Sequence, residues 1–380
     1  MRRHTASRFS MMMLALVAAV AVAGCSGPGE EGAEPTVPDG TAPDGGAPDA
    51  KAKPALFLSL PDECNTPDGM TLDEKTGDIY LSCPNFNDDK FPGIILKIDK
   101  ANGAKQFFDM PLHAETKKAG PMGLDIGPDG NLYVADNQYF SDKDHKSRLI
   151  RITIKAGRAV GAADVVVDGF KLSNAVIWKG NDVYVSDTFF DLEDKPGANG
   201  IYRISLDEMN AGCVKLNPKG TADPHLIATF TTVPNHRNDL AGADGLTFDS
   251  KGNLYTGNFG DGVLSKITFD SDGKVTSNEV FVKSPKMTCV DGIFCDLKTD
   301  TIYVADSEKN AIQVVSPDGT LTTLWENVDT DGADGLLDQP CEVVIRGNDM
   351  IIVNFDMPFP GLKNTEFDKH HTLSVIRMGE

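Results

Sequence analysis

The chain has 380 residues, 40% of them apolar and 24% charged, enough hydrophobic material for a large core and too little for a multi-span membrane protein. Lysine and arginine number 36 against 56 aspartates and glutamates, and the net charge is −20. Outside the extreme N-terminus no basic stretch could neutralise a row of phosphates, which argues against nucleic acid and leaves cations or neutral molecules as the expected ligands.

Residues 1–24 read as an address. Arg2, Arg3 and Arg8 make a basic start, residues 11–22 form an apolar run short for a membrane span, and Ala23-Gly24-Cys25 places small residues before a cysteine. This resembles a bacterial lipoprotein signal, whose cleavage leaves Cys25 as a lipid-modified N-terminus. The expectation is an exported protein held to the bacterial cell envelope, touching the membrane only through that lipid. An ordinary secretory signal with an incidental cysteine is the alternative. Residues 25–54 then carry Pro35, Pro38, Pro43, Pro48 and Pro54 among Gly, Ala, Asp and Glu. Such a stretch has no apolar surface to bury and reads as a disordered acidic tether.

From residue 55 onward one phrase recurs six times. A polar residue opens a short apolar strand, a turn follows, and a second strand ends in Tyr-Val-Ala-Asp or a variant, at 79–83, 132–136, 183–187, 254–258, 302–306 and 350–354. The opening residues are Asp68, Met122, Asn174, Asp244, Asp291 and Glu342, spaced 47 to 70 residues apart, room for four strands per repeat. Third strands are predicted at 93–98, 148–154, 200–205, 263–269, 311–315 and 373–377, and fourth strands at 105–110, 164–168, 226–230, 280–283 and 321–325. That leaves one fourth strand missing, and residues 55–60 supply it. The prediction is a single six-bladed β-propeller over residues 55–380, with four-stranded antiparallel blades, the last closed by the N-terminal strand.

This topology sorts the loops. The long segments, 111–121, 137–147, 188–199, 231–243, 326–341 and 355–372, all fall on one face, which marks the expected ligand or protein-partner face. The six opening residues should ring the tunnel mouth on that side. Four are carboxylates, and two unit charges about 6 Å apart repel by about 3 kcal/mol at an effective dielectric near 20. Protonation or a cation must relieve them, and oxygen ligands with one amide suit Ca²⁺. The alternative is that Asp68-Gly69, Asp244-Gly245 and Asp291-Gly292 are ordinary turn dipeptides. The Asp136, Asp187 and Asp306 column, at strand ends, reads as caps on backbone amides.

Ala243-Asp244-Gly245-Leu246-Thr247-Phe248-Asp249, residues 123–136 and Val290-Asp291-Gly292 resemble the senescence marker protein/gluconolactonase/LRE family of six-bladed propellers. Gly332-Ala333-Asp334-Gly335 through Gln339-Pro340 is also similar to an NHL repeat, a related propeller used for binding. The family, like the similar paraoxonases, holds a divalent ion in the tunnel through a Glu, two Asn and an Asp. The resemblance carries those roles to Asp68, Asn174, Asp244 and Asp291, with Met122 at the skipped position. Asp68 and Asp244 replace a Glu and an Asn, and Glu342 adds a further acid, so the ring is more anionic than the family's.

Paraoxonase-like lactonases add a histidine pair; His113, His236, His370 and His371 lie on loops here, outside the repeat columns. Gly-x-Ser-x-Gly, Walker and dinucleotide motifs are absent, which sets aside serine hydrolase, NTPase and nicotinamide chemistry. Six cysteines follow Cys25, and Cys64 with Cys83 and Cys289 with Cys341 are the expected disulfides. Two functions stay open. One is a Ca²⁺-dependent hydrolase of a small neutral lactone or ester, with Asp291 activating water or attacking and Glu342 as the next candidate. The other is a surface propeller that binds a ligand or protein around a structural cation. A quinone-dependent sugar dehydrogenase on a similar propeller lacks a recognisable cofactor constellation.

Overall fold

A strand sandwiched between two neighbouring sheets is buried on both faces, so it loses the polar alternation of a surface strand and reads as a continuous apolar run. The second strands of this protein behave this way: Leu132–Asp136 and Leu254–Asn258 are buried at every residue, whereas the outer strand Ala104–Asp109 is exposed or half-buried throughout. The structure, a computed structural model, describes residues 53–88, 90–190, 195–217 and 222–379. The expected signal, Cys25 and nearly all of the tether lie outside the described residues. Residues 50–380 form one compact unit.

Six antiparallel sheets are arranged as blades. Their first strands are Met70–Asp73, Pro121–Ile126, Ser173–Lys179, Ala243–Phe248, Ile293–Asp296 and Pro340–Arg346. Each pairs outward with three more, and the sixth blade takes Ala55–Ser59 as its outermost strand. That strand runs antiparallel to Thr372–Arg377, in the register Ala55↔Val375, Leu56↔Ser374, Leu58↔Leu373 and Ser59↔Thr372. The core is divided into six wedges, one per blade interface. Tyr80 and Ile95 of blade one meet Leu124, Leu132 and Ile150 of blade two, and Ile312 of blade five meets Val343 and Ile352 of blade six. Each fully buried side chain of this size contributes about 1.5–3 kcal/mol.

Hairpin turns follow the expected chemistry. Gly130 and Gly252 sit at φ +77° and +83°, and Tyr133 and Tyr255 donate their hydroxyls to Asp129 and Asp249 of the preceding turn at 3.0 and 3.2 Å. Three features differ from expectation. The fourth strand of blade four is Val275–Val282, five residues earlier than predicted, because its exposed Thr276 and Glu279 hide a strand on the rim. A helix, Leu206–Ala211, follows blade three's third strand and is opened by a Ser205/Glu208 capping box. Val214–Lys215 then adds a parallel fifth strand to blade two.

Cys64 and Cys83 form a disulfide with Cα atoms 5.2 Å apart. Cys289 and Cys341 do not: both are buried free thiols. Cys341 Sγ turns instead toward blade one, 3.6 Å from the carbonyls of Pro67 and Asp68. No described helix is long and apolar enough to cross a membrane.

Candidate functional site

The six ring positions stand at or just before the first strands, and in four blades the next residue is glycine. Gly69, Gly123, Gly245 and Gly292 all lack the positive φ that the turn reading requires. Their function is close approach: a Cβ at Gly69 would lie 2.6 Å from the Met122 carbonyl, and one at Gly245 would lie 2.4 Å from the Asp291 carbonyl, each in the next blade. Gly245 and Gly292 also donate backbone N–H groups to Asp291 and Cys341 carbonyls at 3.2 and 2.7 Å. The phrase therefore pulls the innermost strands together and sets each polar residue beside that of the adjoining blade.

Asp68, Asn174 and Asp244 are buried, Met122 likewise, and Asp291 and Glu342 are half-buried. Burial, followed by the charge of Asp291, raises the Asp68 carboxyl well above the usual range. Burial and then the fields of Asp291 and Asp68 do the same to Asp244. Asp291 is pushed up to about 7 by burial, and is kept from rising further by Ser307, Asp244, the Gly292 N–H and the more distant Arg237. Glu342 is raised by burial first and then by Asp291 and Asp68, and accepts from the Val343 N–H at 2.8 Å. These are carboxylates whose negative charges crowd one space, the electrostatic condition a divalent cation relieves.

Asn174 Nδ2 donates to Thr188 Oγ1 at 3.4 Å, leaving the amide oxygen to ligate. Thr188 in turn donates to the Ala243 carbonyl at 2.8 Å, fixing blade three against blade four. Ser307 Oγ lies 2.8 Å from Asp291 Oδ2 and 2.6 Å from the Pro340 carbonyl, so its one proton serves either group. Chemically, Asp68, Asn174, Asp244 and Asp291 offer hard oxygen donors that fit Ca²⁺. Among the described residues, the acidic triad whose oxygens all lie within 4.8 Å of one another is a different one: Asp338, Asp356 and Asp368, on the loops of blade six.

The Asp136, Asp187 and Asp306 column caps loop backbone as expected. Asp136 accepts from the Gly120 N–H at 2.7 Å and Asp187 from the Leu172 N–H at 2.7 Å. The loop histidines are not brought into the ring as a pair. His113 Nδ1 accepts from its own loop at the Glu115 N–H, 3.2 Å away, His370 is exposed, and His371 is buried 4.0 Å from Asp356.

Arg237 was not singled out by sequence. Its side chain is 1% exposed, pairs with Glu308 at 3.0 Å, and lies over the Phe259 ring at 5.0 Å, while His236 meets the other Glu308 oxygen at 3.1 Å. The adjacent His236-Arg237 in the long 231–243 loop was the available signal. Farther along the first strands, toward the short-turn face, a cavity of about 1020 Å³ is lined by Thr71, Asp125, Trp178, Phe248, Phe294 and Glu342 among others. This cavity lies on the face opposite the long loops.

No protein-family model matches the chain, and no curated protein matches it in sequence. Solved structures match it in fold. A luciferin-regenerating enzyme superposes with TM-score 0.58 at 13% identity, over 86% of this chain and 96% of that one. A gluconolactonase from Xanthomonas campestris gives 0.53 at 14%, over 88% and 98%, and the calcium-binding protein regucalcin from Agrobacterium tumefaciens gives 0.54 at 13%, over 86% and 93%. At these identities the likeness shows the six-bladed propeller fold, and the fold alone.

Proposed function

We propose that this protein is a divalent-cation-dependent hydrolase of a lactone or similar ester, acting at the cell envelope from a lipid anchor on Cys25. The observation that carries the reading is the ring of buried Asp68, Asn174 and Asp244 with half-buried Asp291 at the tunnel mouth, and the chain's likeness in fold to a gluconolactonase and a calcium-binding protein supports it. Asp68, Asn174, Asp244 and Asp291 would hold Ca²⁺, which when bound supplies polarisation of a carbonyl and stabilisation of the developing oxyanion. Asp291 is the candidate base that accepts a proton from water. Ser307 orients its Oδ2. Glu342, which lines the cavity on the far side, is the second candidate base.

A second reading, a non-catalytic propeller binding a ligand or protein around a structural cation, is favoured by one observation: the loop histidines form no pair over the ring. The deciding experiment measures hydrolysis of a chemically varied lactone and aryl-ester panel by Ca²⁺-loaded protein, with ion occupancy determined on the same sample. Turnover lost on chelation and regained with Ca²⁺ supports the hydrolase; full occupancy with no turnover supports the binding module.

A further inference from the structure

We infer that blade six carries a second cation site, built by Asp338, Asp356 and Asp368 and suited to a hard, oxygen-ligated ion of the Ca²⁺ type. Each residue offers one carboxylate oxygen, and the three oxygens all lie within 4.8 Å of one another. Asp338 and Asp356 are each 1% exposed, and Asp368 is half-buried. Acidic clusters on surfaces are common without ions; two buried polar atoms make this one different. Asp338 Oδ1 has no hydrogen-bond partner, and neither does Nδ1 of His371, which is 7% exposed and 4.0 Å from Asp356 Oδ2, beyond bonding reach. Buried polar atoms without partners are rare in folded proteins, and an unrecorded ion is one of the standard reasons for them.

The surroundings add negative charge, with His370 acting in the opposite sense on Asp368. Burial first, and then Asp356, Asp368, Asp329 and Asp331, push the Asp338 carboxyl up to about 9. The Asp356 carboxyl, raised to about 7 by burial, accepts from Asn364 Nδ2 at 3.1 Å and from the Asp368 N–H at 3.0 Å, bonds that hold it in place without neutralising it. The groups that act most strongly on Asp338 are loop acids of its own surroundings, Asp356, Asp368, Asp329 and Asp331. Three carboxylates on irregular loops suit Ca²⁺, which accepts six to eight oxygens in flexible geometry, better than Mg²⁺, which demands a near-ideal octahedron.

The position gives the ion a task. Asp338 lies near the end of the loop that spans 327–339, and within it Gly335, at φ +83°, backs so closely on the N-terminal strand that a Cβ there would lie 1.9 Å from the Leu56 nitrogen. Asp356 and Asp368 come from the loop between the second and third strands of the same blade. An ion bound to all three ties both loops together beside the strand that completes the ring of blades.

Calorimetric titration with CaCl₂ alone tests this, on metal-stripped protein carrying Asp244→Asn and Asp291→Asn to silence the tunnel. The expected result is one remaining site, whose affinity falls by more than about tenfold when Asp338→Asn is added, a loss that even outer-shell changes to metal sites cause. No binding in the tunnel variant, or binding unchanged by Asp338→Asn, overturns the proposal. Limited proteolysis of the wild-type chain guards against a misfolded variant: Ca²⁺ should slow cleavage within residues 356–371, and equal rates with and without Ca²⁺ count against the site.

Discussion

The tunnel ring and the blade-six pocket are both clusters of buried acids, yet they meet the cost of burial differently. In the ring, Ser307 and the Gly292 N–H favour a charged Asp291, and Arg237 lends a distant positive field. In the pocket, Asp338 has a buried oxygen with no partner and four acids around it. The ring has these internal remedies, and the pocket has fewer. The ring also draws one residue from each blade, whereas the pocket draws on two loops of one blade, so the first depends on the whole circle and the second on local folding.

The largest expected effect falls on the chemistry of the ring. Asp291→Asn should reduce turnover of any lactone or ester substrate by about 10²–10⁴-fold, the contribution of a positioned general base, while circular dichroism stays near wild type, with ion occupancy measured on the same sample to separate loss of the base from loss of the ion. Undiminished turnover would move the role to Glu342.

Stability against pH separates the regions from the ion-bound state. Asp291 and Asp356 at about 7, and Asp338 at about 9, are raised above the ordinary carboxylate value, so the folded metal-free protein holds protons that the unfolded chain releases. The stabilisation is complete below about pH 4 and is lost as pH rises through about 7, and for Asp338 through about 9. Chelated protein should therefore lose stability, on the order of a few kcal/mol, between about pH 4 and about pH 8, and added Ca²⁺ should flatten the curve. A metal-free melting temperature that rises over that window contradicts the assignment for both regions.

Packing sharpens the contrast next. Gly292→Ala places a Cβ 2.4 Å from the Cys341 carbonyl across the blade five and six interface. It should lower unfolding free energy by about 1–3 kcal/mol in a denaturant titration, the usual cost of overpacking. Ser307→Ala is the mildest change. Removing its hydrogen bond to Asp291 should raise that carboxyl and move the acid limb of a kcat/KM profile to higher pH by less than about one unit. An unmoved limb would mean that Ser307 serves only the Pro340 carbonyl.

Much of the architecture was legible before any coordinates. Second strands such as Leu132–Asp136 declared themselves because burial on both faces demands continuous apolar residues, and the ring positions because they keep one phase in a six-fold repeat. The Ser205-Leu206-Asp207-Glu208 capping box was equally readable in the chain, though its helix was not anticipated. Chain-local patterns of this kind depend on period, burial and turn chemistry, which the residues of one segment carry themselves.

What the chain alone left open depends on which loops meet. Asp-Gly looks the same in a turn and at a strand contact, and only the neighbouring blade, 2.4 Å from Gly245's missing Cβ, decides between them. Cys289 and Cys341 enter adjoining blades, but the direction of Cys341 Sγ toward Pro67 and Asp68 is set by the closure of blade six on blade one. Arg237 and Glu308 lie 71 positions apart, Asp338 and Asp368 thirty, and no repeat relates them. Periodic positions are dictated by local physics copied from blade to blade, whereas contacts between irregular loops arise from the three-dimensional path of the chain, which tertiary packing alone selects.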